Sequence, residues 1–421
     1  MRQNIFKTNI LTGPVICMLI CMGAVLPACK SQKPSADSSR QGNGFSASDL
    51  AESNNHFSID LFKQIESKSE NIVYSPYSIS NVLAMTYSGA AAETAEQMSE
   101  VLYFPPPGKV EKASWDLKKQ ILSNDTLPGT EISLANAIWA QKNFDFLPQY
   151  IDKIEKWYDA PLTIMDFTRD DSREKSRVEI NNWVEENTRE KIKDLIGPGV
   201  LAANTRMVLT NAIYFNGKWM WPFDKNLTAP SIFHVSSQKS VRTEFMHLNK
   251  TLPYYEDEEI QAVRFPYRGE RLSMTILLPK SIEAWKMISR VLDNDRLNRL
   301  ESQFTDTEVS VSLPKFTLEL KLNLKNELSS MGMNLAFERG ADFSGMTGER
   351  NLYIDEVIHM AFIEVSENGT EAAAATAAII SLKSALREDP LVFNADHPFL
   401  YLIRDHQSGS IIFMGRLVKP S

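Results

Sequence analysis

Cysteine is scarce in this sequence of 421 residues, and all three cysteines, at positions 17, 21 and 29, lie near the N-terminus. No disulfide bond can therefore form in the chain beyond residue 29, and cysteine cannot serve there as a metal ligand or a nucleophile. A chain without such cross-links depends on its core for stability. With 43% hydrophobic residues, this chain is long enough to bury a large one.

The motifs of common enzymes are also absent. The chain contains no G-x-S-x-G, H-E-x-x-H, phosphate-binding P-loop or G-x-G-x-x-G pattern. Its six histidines are scattered, and no two have the spacing of zinc ligands. His359 lies in an apolar strand pattern, Ile358-His-Met-Ala-Phe362, which favours a hydrogen-bonded core histidine over a catalytic base. We therefore expect neither an enzyme nor a bound metal or cofactor.

Basic residues are outnumbered, with 45 Lys and Arg against 53 Asp and Glu. Without Arg2 and Lys7, which precede the predicted cleavage site described below, 43 basic residues remain and the net charge becomes about −10. Nucleic acids and anionic lipids both attract basic surfaces. The charge therefore argues against either as the main partner.

Residues 1–28 have the pattern of a lipoprotein signal peptide. Arg2 and Lys7 precede a mostly apolar run at 10–26, which is shorter than the roughly 20 residues of a membrane-spanning helix. The run ends in Leu26-Pro-Ala-Cys29, which resembles the bacterial lipobox. We expect cleavage before Cys29 and lipidation of this cysteine, with a plain secretory signal cut after Ala28 as the alternative.

Residues 29–47 are rich in Ser, Gly, Asn and Lys and are predicted to form a flexible tether. Together, the signal and the tether predict an exported protein held on the bacterial cell envelope, at the outer membrane or the cell surface, by a lipid on Cys29.

The remainder, 48–421, is predicted to be a single α+β domain, because no further linker and no internal repeat interrupts it. The first half is helix-rich: Phe57, Leu61 and Ile65 recur every four residues, Thr94-Ala-Glu-Gln97 has the form of a capping box, and 176–196 is predicted to be helical. The second half is strand-rich, with strands predicted at 207–215, 241–248, 262–267, 273–278, 308–320, 361–365, 399–403 and 411–417.

The stretch from Glu367 to Arg387 is dominated by small residues. Its four consecutive alanines favour a surface helix that begins near Thr370. Alternatively, it is an exposed loop that can become a strand, and then alternate residues share one face by the two-residue period: Thr370, Ala372, Ala374, Thr376, Ala378 and Ile380. None of these side chains is charged, so that face could enter a packed sheet. The residues by themselves leave both alternatives open.

Several separated segments form a recognisable set in chain order. They are Asn71-Ile-Val-Tyr-Ser-Pro-Tyr-Ser78, Thr210-Asn-Ala-Ile-Tyr-Phe-Asn-Gly-Lys-Trp219 with Pro222-Phe223, Asp342-Phe-Ser-Gly-Met346, Ile358-His359, Glu367-Asn-Gly-Thr-Glu-Ala-Ala-Ala-Ala-Thr376, Phe393-Asn-Ala-Asp-His-Pro-Phe399 and Phe413-Met-Gly-Arg416. Together they resemble the serpins, a family of serine protease inhibitors, over about 48–420.

The resemblance implies about nine helices around three β-sheets, with an exposed reactive loop that begins near Gly369. In this family a protease cleaves the loop, and the upstream arm then inserts into the main sheet and traps the acyl-enzyme. The residues matching the insertion hinge are Glu367, Gly369, Thr370, Ala372, Ala373, Ala374, Ala375 and Thr376. Small hinge residues favour an inhibitor over the alternative, a non-inhibitory serpin that acts as a binding protein.

The specificity residue in this family usually lies fourteen positions after the hinge glycine, which gives Lys383 with Ser384 on the leaving side. Arg387-Glu388 is the competing bond. A basic residue at this position suits trypsin-like serine proteases, which are the expected partners, with cysteine proteases as a further class. We expect the protein to act as a monomer.

The resemblance also implies two structural clusters. Ser75, Ser78, Asn211 and His359 match the shutter, the polar cluster beneath the part of the sheet that opens. Trp219, Lys315 and Glu367 match the breach, where the loop first enters, with Lys315 and Glu367 expected to form an ion pair.

Overall fold

The computed structural model describes residues 44–122, 129–286, 292–370 and 390–420. These residues belong to one compact unit, Asn43–Ser421. The predicted signal peptide, Cys29 and nearly all of the predicted tether lie outside the described residues.

Helices dominate the first half of the described chain. The first helix, α1, begins at Ala47 after a capping box in which the Ser46 side chain accepts from Asp49 N–H and Asp49 accepts from the Ser46 backbone. The nine α-helices in the described ranges are α1 (Ala47–Ile65), α2 (Pro76–Tyr87), α3 (Ala92–Leu102), α4 (Val110–Leu122), α5 (Pro148–Tyr158), α6 (Asp170–Asn187), α7 (Asn294–Gln303), α8 (Lys325–Met331) and α9 (Ser344–Thr347).

Strands dominate the second half, as the sequence predicts. They are β1 (Ile72–Tyr74), β2 (Thr130–Gln141), β3 (Leu162–Met165), β4 (Met207–Lys218), β5 (Ala229–Ser236), β6 (Lys239–Glu256), β7 (Ile260–Pro266), β8 (Leu272–Pro279), β9 (Thr305–Pro314), β10 (Phe316–Asn323), β11 (Glu356–Ser366), β12 (Gly369–Thr370), β13 (Leu391–Asn394), β14 (Phe399–Asp405) and β15 (Ile411–Leu417).

The strands pair into two hydrogen-bonded sheets. A six-stranded sheet has the order β10-β11-β12-β4-β2-β3, and a nine-stranded sheet runs β1-β15-β14-β8-β7-β6-β9-β13, with β5 paired to β6. The expected three sheets become two networks because β6 is long enough to pair with β5 and β9 and, at its end, with β7.

The six-stranded sheet separates two apolar cores. On β4, Leu209, Ile213 and Phe215 contribute to the larger core, whereas Val208 and Ala212 contribute to a smaller core that includes residues of α6. This alternation follows from the two-residue period of a strand that is buried on both faces. No helix among the described residues is both long and apolar enough to span a membrane.

The predicted strand at 308–320 is wrong as a single element. The structure divides it at Pro314–Lys315 into β9 and β10, which belong to different sheets. Alternating apolar residues form the same sequence pattern whether one strand continues in a single sheet or two successive strands belong to different sheets. The pattern therefore could not show the division.

Two predicted helix ends are also wrong. Helix α3 begins at Ala92 rather than at Thr94 and has no side-chain cap; the Thr94 hydroxyl instead accepts a hydrogen bond of 2.9 Å from Asp342 N–H. Helix α6 ends at Asn187 rather than at Ile196. The following segment is held by Asn181, whose side chain accepts from Ile196 N–H at 2.7 Å and donates to Ile196 O at 2.9 Å.

Candidate functional site at the top of the six-stranded sheet

The central feature of the six-stranded sheet is the seam between β4 and β11. These parallel strands are direct partners from Val208 and Glu356 up to Tyr214 and Phe362. Beyond that point β12 lies between them, with Thr370 opposite both Gly217 and Val365. After β11 the chain thus turns back and starts a new antiparallel strand inside the sheet.

The start of the predicted reactive loop is therefore not exposed, which corrects the expectation. Gly369 and Thr370 are both buried, and Thr370 has 0% of its surface accessible. They are buried because the backbones of both neighbouring strands pair with them. The rest of the predicted hinge and both candidate reactive bonds, namely Ala372, Ala373, Ala374, Ala375, Thr376, Lys383, Ser384, Arg387 and Glu388, lie outside the described residues.

Two glycines make room for this short strand. Gly369 has a φ of +149°, and a Cβ there would lie 2.0 Å from the carbonyl oxygen of Gly217. At Gly217 a Cβ would lie 2.8 Å from the ring of Tyr267. Any other residue at either position would require the backbone or the ring to move.

The Thr370 side chain is held by Tyr267. Their hydroxyl groups are 2.7 Å apart, and both residues have 0% of their surface accessible. Burial raises the pKa of Tyr267, and the hydrogen bond with Thr370 only partly offsets this. The phenol is therefore protonated at neutral pH, and one of the two hydroxyl groups donates to the oxygen of the other.

The three predicted breach residues meet next to this strand. The Trp219 ring stacks on Tyr267 at 4.6 Å between centroids, and its Nε1–H donates to Ser366 O at 2.9 Å. The backbone N–H of Trp219 donates to Asn368 O at 3.0 Å. Trp219 therefore supports both the turn before β12 and the tyrosine beneath it.

Glu367 occupies this turn with its carboxylate largely buried. Its Oε1 lies 3.1 Å from Lys315 Nζ and accepts a hydrogen bond of 2.9 Å from the Thr228 hydroxyl. Burial works to raise the pKa of Glu367, but hydrogen bonds from its own backbone N–H, Lys315 and Thr228 outweigh it, so the pKa is below its ordinary value. The carboxylate is therefore ionised at neutral pH and paired with a lysine that is 39% exposed.

The four predicted shutter residues meet lower on the seam, in the larger core. The side chains of Asn211 on β4 and His359 on β11 are hydrogen-bonded across the seam, and the two residues are direct strand partners. Ser75 N–H donates to His359 Nε2 at 3.2 Å, and Asn211 donates to the Ser78 hydroxyl. The cluster therefore ties α2 to both strands.

The hydrogen bonds define the state of the His359 ring. Because Nε2 accepts from Ser75 N–H, Nδ1 carries the proton and donates it to Asn211 Oδ1. Burial lowers the pKa of His359 to about 3. The ring is therefore neutral, which agrees with the sequence-based interpretation of a hydrogen-bonded core histidine.

The structure adds four residues that the sequence reasoning missed. Asn136 accepts from Ser78 at 3.0 Å and donates to Asn81 at 3.1 Å, which extends the shutter to β2. Tyr267 and Thr228 contact the hinge and its turn. No local pattern marks these four, since each lies at least 55 positions from its partner.

Comparison with known proteins identifies the family of this chain. The family described as "Serpin (serine protease inhibitor)" matches residues 52–420. The chain belongs to the serpin family. An uncharacterized serpin-like protein of Methanosarcina acetivorans is 36% identical to this serpin, and the match covers 96% of each chain.

Relatives with more specific names show the same likeness. The leukocyte elastase inhibitor of Xenopus laevis is 38% identical over 87% of this serpin and 98% of the relative. The crystal structure of Serpin48 from the insect Tenebrio molitor is similar with a TM-score of 0.78 and 32% identity, over 88% of this chain and 98% of that one. The expected α+β serpin fold is thereby confirmed.

Membership of the serpin family supports a function of the protease-inhibitor type rather than catalysis. Within the ranges that the structure describes, no group of three or more His, Cys, Asp and Glu side chains is placed to hold a metal ion. The features of the site that can change conformation are the seam between β4 and β11, the hinge residues that pair with both strands, and the polar contacts across the seam.

Proposed function

We propose that this serpin is a suicide-substrate inhibitor of trypsin-like serine proteases, cleaved between Lys383 and Ser384. The observation that carries the proposal is the position of the hinge. Gly369 and Thr370 occupy the first two positions of a strand between β4 and β11. Cleavage downstream would free the chain to continue this strand, and the free energy of the added sheet would drive the movement.

The register of β12 supports insertion of the following residues. The Thr370 side chain faces the larger core, where it contacts Tyr267. In the same register, Ala372, Ala374, Thr376 and Ala378 would face that core after insertion. Bulky or charged side chains would slow entry into a close-packed interior, whereas these small ones would not.

The length of β4 supports the choice of Lys383. Continued pairing would place Ile380 opposite Met207, the first residue of β4. Lys383 would then follow just beyond the far end of the sheet, so a protease attached to it would be carried along the full strand. Arg387 would leave four more residues outside the sheet, which makes it the second choice.

The chemistry is that of the protease. Its serine Oγ would attack the Lys383 carbonyl carbon, the peptide bond to Ser384 would break, and the Ser384 amine would leave with a proton from the protease histidine. The ester between the serine and Lys383 remains. Insertion would move this ester away from the groups that hydrolyse it and distort the active site.

Incubation of the mature chain with trypsin tests the proposal. We expect a covalent complex that survives denaturing gel electrophoresis, and mass spectrometry of the released C-terminal peptide should show that it begins at Ser384. Lys383→Ala should abolish the complex, whereas the matched control Arg387→Ala should retain it. Complete cleavage without a complex would exclude inhibition and favour a non-inhibitory binding protein, and a peptide that begins at Glu388 would assign the bond to Arg387.

We propose that a lipid on Cys29 anchors the protein to the bacterial cell envelope. The signal pattern that ends in Leu26-Pro-Ala-Cys29 supports export and lipid anchoring to the bacterial cell envelope. Expression of the full chain in a bacterium with radiolabelled palmitate should label the wild type but not Cys29→Ala. Release of both proteins as soluble, unlabelled chains would contradict the anchor.

A further inference from the structure

The seam between β4 and β11 is covered by two aromatic side chains immediately below β12. Tyr214 and Phe362 are the last direct partners of the two strands before the hinge intervenes. Their ring centroids are 6.4 Å apart with an interplanar angle of 40°. Phe362 packs against the smaller core, on the opposite face of the sheet from Tyr267 and Thr370.

A lysine lies over both rings. The Nζ of Lys191 is 6.0 Å from the ring centroid of Tyr214 and 5.9 Å from that of Phe362. A cation at such a distance is attracted to the negative face of an aromatic ring. Lys191 therefore interacts with β4 and β11 at the same time, across the line along which they would separate.

The backbone around Lys191 is firmly placed. Lys191 N–H donates to Thr188 O at 3.0 Å, and the next residue, Ile192, donates to the Thr188 hydroxyl at 3.3 Å. Ile192 is fully buried in the smaller core beneath α6. The lysine thus reaches the seam from an anchored turn rather than from a free loop.

We propose that Lys191, Tyr214 and Phe362 form a clamp that must open before residues beyond Thr370 can enter the sheet. A strand placed between β4 and β11 would increase their separation from about 4.8 Å to about twice that value. Lys191 could not then remain close to both rings. The clamp therefore stabilises only the closed seam, in which Tyr214 and Phe362 are direct strand partners.

This inference deepens the proposed function, because in an inhibitor the clamp limits how fast the loop advances after cleavage. Lys191 is in this sense a positioning residue. The clamp also predicts a property of the uncleaved protein, the protection of backbone amides along the seam, which can be measured without any protease.

Hydrogen–deuterium exchange of the uncleaved chain tests the clamp directly. Lys191→Met keeps the length of the side chain and removes its charge, so amides of β4 and β11 near Tyr214 and Phe362 should exchange roughly fivefold faster. Lys191→Arg should restore protection because it retains a cation. The matched control is Lys156→Met, which removes a lysine 4.4 Å from a single ring, that of Trp157, and should leave the seam unchanged. Unchanged seam exchange in Lys191→Met would overturn the proposal.

A second readout separates a clamp from a general stabilising role. The loop-cleaved form of Lys191→Met should unfold at the same temperature as loop-cleaved wild type, whereas the uncleaved variant should convert to an inserted or polymeric form several-fold faster on heating. Equal losses of stability in both forms would contradict the clamp. If cleavage does not stabilise the wild type, loop insertion and the proposed function fail, while the exchange measurement still decides whether Lys191 closes the seam.

Discussion

Removal of the Tyr267 hydroxyl should release the hinge from the sheet. Thr370 has no exposed surface, and its hydroxyl lies 2.7 Å from that of Tyr267. Within the described part of the hinge, Gly369 and Thr370 are the residues that pair with the neighbouring strands. Tyr267→Phe keeps the ring that stacks on Trp219 and deletes the hydrogen bond alone.

General values for buried hydrogen bonds give the expected loss of hinge stability in Tyr267→Phe. A buried polar group that is left without its partner costs about 1–3 kcal/mol, so the seated hinge should become roughly 5- to 150-fold less populated relative to the released one. Thr370→Val keeps the shape of the side chain and should have a similar effect. The double variant removes both hydroxyls and should be less destabilised than the sum of the two single variants, by about 1 kcal/mol.

Hydrogen–deuterium exchange of a peptide that contains residues 365–370 measures the hinge, and thermal unfolding measures the whole protein. The control is Tyr158→Phe, which removes a buried hydroxyl bonded to Ser88 at 2.9 Å in another part of the fold. It should lower the unfolding temperature without changing hinge exchange. Unchanged hinge exchange in Tyr267→Phe, with strictly additive effects in the double variant, would refute the reasoning.

Three further predictions concern the same seam. Gly369→Ala should expel the hinge, because its Cβ would lie 2.0 Å from a backbone oxygen; hinge exchange should rise sharply, while Gly340→Ala, which meets nothing within 4 Å, should leave it unchanged. Glu367→Lys should place two like charges together beside Lys315 and favour early opening, seen as polymers on native gels; a purely monomeric variant would speak against this. His359 has a pKa near 3 when folded and 6.5 as its ordinary value, so the unfolded chain binds the extra proton at mildly acidic pH. Stability should therefore fall by about 2 kcal/mol from about pH 7 to pH 5, and chemical denaturation of His359→Gln should show a smaller fall.

Local patterns in the sequence predicted much of the fold. Strands β8 and β15 lie within one residue of their predicted bounds, 273–278 and 411–417, because their apolar runs and flanking turn residues mark them. The same patterns could not reveal that 308–320 divides between two sheets, since a division at Pro314–Lys315 depends on which neighbouring strands are available in three dimensions.

The candidate site shows a similar division. Because their motifs resemble a known family, Glu367 and Lys315 could be predicted as an ion pair, and their charged atoms lie 3.1 Å apart. The four shutter residues, predicted in the same way, form one hydrogen-bonded cluster. By contrast, the stretch after Glu367 was compatible with a helix or a strand by propensity alone. Within that stretch, the pairing of Gly369 and Thr370 with β4 and β11 shows that these two residues form a strand.

The sequence by itself thus determined the α+β class through periodic patterns and the family through short motifs, and the resemblance to that family pointed to seven residues of the breach and shutter. Only the tertiary structure decided that the hinge has already entered the sheet, that Tyr267 holds it, and that Lys191 lies over Tyr214 and Phe362. These contacts join residues that are far apart in the chain, Tyr267 and Thr370 by 103 positions. Their effect depends on distances and faces that no single segment encodes.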